Sequence, residues 1–374
     1  MTDGRRDLLA GKKRVIVKLG SMVLAAPGGG VDQDFLRRLA GEMAAAGERE
    51  FIIVSSGAIL MGLQAMGLRE PPTEMKAKQA LAAIGQSRLV QAYSDAFARY
   101  GKNVGQVLLT AEGLEDRRRF ILSRNTLETL IKFKAVPVIN ENDTVAVDEI
   151  RFGDNDILAS MVVNLADADL LVILTNTEGL FDKDPRLGDG KLVEVVEEVD
   201  VRIVNMAGGP GKAGSGGMSS KVLAAKRTAH MGVPTVIADG RDEGVLSRVI
   251  NGDPVGTLFL PSAEKLASRK HWIAYSSGSP RGTLVLDDGA VQALRRMKKS
   301  LLPAGIKEVL GDFGAGAMVR CLDSSGEEIA RGVTSFSSDQ VRRIMGRHSD
   351  EIQAILGTFP GEEVIHRDDL VISD

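Results

Sequence analysis

The sequence predicts an α/β protein. Its first part is a mainly parallel sheet covered by helices on both faces, and a smaller β-rich domain follows. Three observations lead there. Apolar, β-branched runs alternate with stretches of helical spacing, the pattern of successive βα units. The runs are apolar throughout, as strands buried on both faces are. The character then changes near 262–283, and the pieces beyond it are shorter. At 374 residues the chain has length for about two domains.

In chain order, "RVIVKLGS" (14–21) is a short buried strand ending at glycine. "VDQDFLRRLAGEMAAAGE" (31–48) is a helix. Phe35, Leu36, Leu39 and Met43 fall at helical spacing, Asp32 or Asp34 supplies a cap, and Gly47 stops it. "EFIIVSSGAILMGL" (50–63) is strand, small-residue turn, then helix, and residues 75–101 form one long helical stretch. "GQVLLT" is the next strand. "AVPVINENDT" (135–144), "ADLLVILTNTEGL" (168–180) and "VPTVIADG" (233–240) each close an apolar run on polar or glycine residues. Helical patterns lie between them at 155–166 and about 219–231. "SSGSPRG" (276–282) reads as a linker, and "GAMVRCLDSSGEEIARGVTSF" reads as a hairpin turning at "SSGE". The expected domains are 1–275 and 280–374.

Bulk properties narrow the function. Hydrophobic residues make up 44% of the chain, enough for sizeable cores. The formal net charge is −3, which gives no electrostatic reason to hold a nucleic acid. Residues 280–374 carry 12 Lys/Arg against 15 Asp/Glu, also a net of −3. One cysteine, Cys321, allows no intrachain disulfide, and a reducing cytoplasm is the expected location. The polar start "MTDGRRDLLAGKKR" is no signal peptide. No apolar run is long enough to span a membrane.

In a parallel sheet, ligands bind beyond the carboxyl ends of the strands, and the polar turns above all sit there. "GGPGKAGSGGMSSK" (208–221) is not a P-loop, because Lys221 follows Ser220 rather than glycine and Val222 comes after it. A helix starts at its end, with Ser219 or Ser220 as cap. It offers an anion site of N–H groups and a lysine, or a loop before a capped helix. Lys18, at the end of a buried strand, is costly there unless its ammonium meets an anion. Otherwise it snorkels from an edge. Ser55, Ser56 and Gly57 let a ligand approach the backbone. "NENDTV" (140–145) and "FGDNDILA" (152–159) gather Asn140, Asn142, Asp143, Asp154, Asn155 and Asp156. These residues suit a zwitterion, with carboxylates for its ammonium and amides for its carboxylate. Ordinary turn and cap chemistry is the competing account. "HRDDL" (366–370) reads as a solvated turn, the histidines at 230, 271, 348 and 366 lack metal-ligand spacing, and Cys321 has no nucleophile motif around it.

Seven segments, "VKLGS", "VSSGAI", "KQALAAIGQSRL", "VINENDTVA", "GDNDILAS", "LTNTEGLFDKDPR" and "GSGGMSSK", stand in the order of the amino acid kinase family. The chain resembles the members that phosphorylate glutamate, over nearly its whole length. Its end, with "LLPAGI" and "HRDD", resembles a PUA domain. The resemblance implies an αβα sandwich (1–275) that phosphorylates the side-chain carboxylate of L-glutamate with ATP and Mg²⁺, and a PUA domain at 280–374. The product, glutamyl 5-phosphate, opens proline biosynthesis. Carried over by position, Lys18 and Lys221 hold the phosphoryl group and Asp156 organises them. Ser56, Asn140, Asp143, Asp154 and Asn155 form the glutamate pocket. Lys18, Thr175, Asn176, Ser215, Gly216, Gly217, Met218, Ser219, Ser220 and Lys221 form the ATP site. The chain departs from the family at Asn176, often aspartate, and at Ser215 and Ser220, often threonine. The resemblance also implies a dimer or tetramer and feedback inhibition by proline. Three rivals stand beside it. One is a family member acting on another carboxylate, a carbamate or a nucleoside monophosphate. Another is an RNA-binding protein acting through the PUA domain, which the −3 charge disfavours. The last is a dinucleotide-binding oxidoreductase, disfavoured because no G-x-G-x-x-G follows the first strand.

Overall fold

The computed structural model describes residues 2–145, 155–184, 188–208, 217–262, 280–357 and 361–373. The chain forms two compact units, Met1–Lys265 and Leu266–Asp374. Most of the linker segment 276–282 lies outside the described residues.

The first unit is built on eight strands: β1 (Arg14–Leu19), β2 (Glu50–Ser55), β3 (Val104–Leu109), β4 (Val136–Glu141), β5 (Leu170–Thr175), β6 (Val195–Val196), β7 (Thr235–Asp239) and β8 (Thr257–Phe259). They form one sheet in the order β3-β4-β2-β1-β5-β7-β8-β6. The run from β3 to β7 is parallel, and β8 pairs antiparallel with β7. The helices are α1 (Thr2–Ala10), α2 (Ser21–Leu24), α3 (Gln33–Ala45), α4 (Ala58–Met66), α5 (Met75–Ala98), α6 (Ala111–Glu115), α7 (Arg117–Lys132), α8 (Asn155–Ala166), α9 (Val201–Met206), α10 (Met218–His230) and α11 (Val245–Ile250).

Side-chain alternation along the strands makes two cores. Val15, Val17 and Leu19 of β1 pack with residues of α3, α5 and α11 on one face. Ile16 packs with residues of α8 and α10 on the other. Lys18 shares the parity of Ile16, so it points to the α8–α10 face. Asp32 caps α3 by accepting from the N–H groups of Asp34 and Phe35, a contact worth about 1 kcal/mol. Helices α4 and α5 cross closely through glycines. A Cβ on Gly85 would lie 1.8 Å from the Ala58 carbonyl oxygen, and one on Gly62 would lie 2.1 Å from that of Leu81.

The second unit has a five-stranded sheet: β9 (Gly282–Leu286), β10 (Ile306–Leu310), β11 (Met318–Leu322), β12 (Glu328–Val333) and β13 (Leu370–Ile372), in the order β10-β9-β11-β12-β13. Helices α12 (Asp288–Met297), α13 (Ser338–Ile344) and α14 (Ile352–Leu356) accompany it. β11 and β12 form the antiparallel hairpin that "SSGE" predicts. Cys321 is buried in this unit's core, and burial pushes its thiol pKa up to about 12. "HRDDL" is a turn with Arg367 exposed, and its last residue, Leu370, is buried. A 3₁₀ turn, Arg367–Asp369, feeds β13, because Leu370 is drawn into the core.

Candidate active site

The centre of the site follows from the parity of β1. Lys18 is 2% exposed and forms a salt bridge to Asp156, itself 0% exposed. Asp156 stands in the first turn of α8. Its other oxygen meets Lys221 Nζ at 2.9 Å, from the first turn of α10. Lys221 is 5% exposed. Two ammonium groups some two hundred residues apart in sequence thus converge on one carboxylate. The Ser220 hydroxyl lies 2.8 Å from both Asp156 Oδ2 and the Gly217 carbonyl. Ser220 is therefore committed inward and does not cap α10. Gly217 is the N-cap, with no side-chain cap bond among the described residues, and a helix start of this kind suits an anion.

On one side of this centre lies a cluster of amides. Asn155 Nδ2 is within 2.8 Å of the Ser55 carbonyl, 2.9 Å of Asn140 Oδ1 and 3.1 Å of Ser56 Oγ. Asn140 Nδ2 donates to Gln86 Oε1 at 2.8 Å. Asn140 ends the apolar run of β4, so the strand delivers it, while Asn155 arrives on α8 beside Asp156. Asp143 stands three residues beyond Asn140, and burial raises its pKa. Burial first, then the nearby Asp143, lifts Glu141 to about 7. Asp154 lies outside the described residues.

On the other side, β5 ends in Thr175, which is buried, and the exposed Asn176 follows. Their side chains lie 3.4 Å apart. The Gly240 N–H donates to the Thr175 carbonyl and the Gly20 N–H to that of Leu174, so glycine backbone lines both flanks of the strand end. Gly217 is exposed, and Met218 and Ser219 are half-buried at the start of α10. Ser215 and Gly216 lie outside the described residues. The structure therefore brings together Lys18, Asp156, Ser220 and Lys221 as one group, and Ser56, Asn140 and Asn155 as a second. Asn155 and Asp156, adjacent in sequence, join the two.

Residues 13–239 match the amino acid kinase family, and residues 282–356 match the PUA domain. The chain belongs to the amino acid kinase family. Relatives named glutamate 5-kinase align along almost the whole length. Those from Citrifermentans bemidjiense and Pelobacter propionicus are 49% and 47% identical, over 98% of this chain and 100% of their own. The one from Pseudomonas entomophila is 47% identical with the same coverage.

Within this kinase domain, sequence reasoning passes over three residues that the geometry brings to the site: Gln86, Tyr93 and Glu141. Tyr93 lies 2.7 Å from Ser55 Oγ, and Ser55 donates to the Ser56 carbonyl at 2.7 Å. Burial raises the Tyr93 pKa, opposed by the Ser55 contact. Gln86 and Tyr93 sit inside a long helical pattern. Periodicity there marks the helix and says nothing of which strand end each side chain reaches.

Proposed function

We propose that the protein transfers the γ-phosphoryl group of ATP to the side-chain carboxylate of L-glutamate. The product is L-glutamyl 5-phosphate, and the reaction opens proline biosynthesis. The observation that carries the reading is the convergence of Lys18 and Lys221 on buried Asp156. It stands between an amide cluster on β2, β4 and α8 and the strand end of β5.

The chemistry fits these residues. A glutamate carboxylate, with a pKa near about 4.3, is already an anion at neutral pH, so no general base is needed. One carboxylate oxygen attacks the γ-phosphorus, the bond from that phosphorus to the β,γ-bridging oxygen breaks, and ADP leaves. The obstacle is the approach of two anions, so catalysis is positioning and charge stabilisation. Lys18 and Lys221 would supply the charge, Asp156 would fix where their ammonium groups point, and the N–H groups opening α10 would receive phosphate oxygens. Ser56, Asn140, Asp143, Asp154 and Asn155 would hold glutamate. Thr175, Asn176 and residues 215–221 would hold ATP. Mg²⁺ would accompany ATP and neutralise phosphate charge. Among the described residues no group of three or more His, Cys, Asp or Glu is placed to hold a metal. Mg²⁺ bound chiefly by phosphates and water asks for only about one or two carboxylates.

Three further features belong to this reading. The zwitterion-binding chemistry that suits glutamate also suits proline, so proline is the proposed feedback inhibitor. A dimer or tetramer is proposed because β3 is a sheet edge and Leu122 and Phe133 are 58% and 74% exposed. A cytoplasmic location accords with a single, buried cysteine, and among the described residues no helix is long and apolar enough to cross a membrane. The reading is tested by an ATP-dependent hydroxamate assay with glutamate, aspartate and carbamate as acceptors, repeated with proline. Product with glutamate alone, reduced by proline, is expected. Equal or greater product with another acceptor refutes the substrate assignment.

A further inference from the structure

The amides of the acceptor pocket are aimed from outside it. Asn155 Nδ2 donates to the Ser55 carbonyl, which can only accept, so the main chain fixes how this amide faces. Asn140 Oδ1 accepts from Asn155 Nδ2 and, at 2.9 Å, from the Glu141 backbone N–H. Asn140 Nδ2 must then face the other way, where Gln86 Oε1 accepts from it. Two main-chain groups thus orient a chain of three side-chain amides, and the chain ends on α5. Seven residues further along α5, two turns on and on the same face, Tyr93 supports the neighbouring strand end. Because Ser55 Oγ donates to the Ser56 carbonyl, the Tyr93 hydroxyl must donate to Ser55 Oγ.

The free end of the chain is informative. Gln86 Nε2 is buried and has no hydrogen-bond partner among the described residues. A buried donor without an acceptor lowers stability, and an apolar side chain of similar size would exchange that penalty for a like one at buried Asn140 Nδ2, which would lose its acceptor. The Gln86 amide thus gains little stability of its own, and its one contact is the one that holds Asn140. Gly85, beside it, lets α5 approach α4 closely, which brings Gln86 within reach of β4.

We propose that α5 sets the shape of the acceptor pocket, with Gln86 as a positioning residue that aims Asn140 and Tyr93 as its counterpart for Ser55 and Ser56. The proposal rests on the reading of Ser56, Asn140 and Asn155 as the glutamate pocket. With its Nδ2 tied to Gln86, Asn140 can turn only one hydrogen to a ligand. Without Gln86 the amide can tilt, and the pocket loses its fit to glutamate while the nucleotide side is untouched.

The test uses the full chain with Gln86→Met, Gln86→Leu and Asn140→Ala. For both Gln86 variants the KM for glutamate should rise about five- to tenfold, the scale of one lost hydrogen bond. The KM for ATP and kcat should stay within about twofold, and the melting temperature should stay close to that of the parent, since one unpaired buried donor replaces another. An unchanged KM for glutamate in either variant overturns the proposal. So does a lowered melting temperature with both KM values rising together, since that marks a purely structural role. If Asn140→Ala also leaves the KM for glutamate unchanged, the pocket reading itself fails. If it raises that KM while Gln86→Met does not, only the positioning role fails.

Discussion

A lysine in the middle of a parallel sheet is a liability that one carboxylate removes. Lys18 has buried apolar neighbours along β1, so its ammonium needs a counter-charge there, and Asp156 supplies one. Lys221 shares that carboxylate from another helix. We expect Lys221→Ala to lower kcat by about 10² or more, the scale of one lost electrostatic donor, in steady-state assays with glutamate saturating. An unchanged kcat would remove Lys221 from the reaction. Asp143→Ala should raise the KM for glutamate and leave that for ATP alone. A change confined to ATP would contradict its place in the pocket. Glu141 gives a prediction in pH. Its folded-state pKa, about 7, lies above its ordinary value of 4.5, so the native state holds a proton that the unfolded chain releases. Its contribution to stability is full below about 4.5 and is lost as pH rises through about 7. Urea midpoints of Glu141→Gln should therefore gain on the parent across that window and keep a constant lead above it. Parallel curves would show that Glu141 is not perturbed. Lys18 is legible in the sequence because a cation inside an apolar run stands out. Gln86 and Tyr93 are not, because a polar residue in an amphipathic helix is commonplace until the fold shows what it touches.

At the scale of elements, spacing and caps carry most of the information. Asp32, Gly47 and the apolar period locate α3, and α8 spans the residues, 155–166, at which its apolar pattern points. The start of α10 is where local reasoning fails. A serine near a helix start is usually a cap, yet Ser220 is claimed by Asp156, a residue of α8. Only tertiary structure supplies that competitor. The α4–α5 crossing is equally hidden, since Gly62 and Gly85 look like breaks in a helix until the partner backbone is seen. Gly85→Ala should cost about 1–3 kcal/mol, the usual penalty of overpacking, read as a lower melting temperature. It should also raise the KM for glutamate more than that for ATP. A variant as stable as its parent would mean that the two helices are free to separate.

At the scale of the whole molecule, the two units have cores with no residue in common. Residues 280–374 expressed alone should therefore unfold in one cooperative transition by circular dichroism, and a broad, gradual melt would show dependence on the first unit. Placing a charge at each of these exposed apolar positions, as Phe133→Glu and Leu122→Glu, should shift light-scattering mass toward the monomer, and an unchanged mass would place the proposed interface elsewhere. The order of the strands has a consequence of its own. The proposed acceptor residues ride on β4 and β2, the lysine on β1, and the proposed nucleotide residues on β5, which are consecutive strands in the sheet. Neighbouring strands are about 4.8 Å apart, so the sheet works as a ruler, graduated in strand widths, on which donor and acceptor are laid end to end. A molecule joining glutamate to ATP through its terminal phosphate should lie straight across these marks. Acceptor preference could then be rewritten on β2 and β4 with the nucleotide end of the scale left as it is.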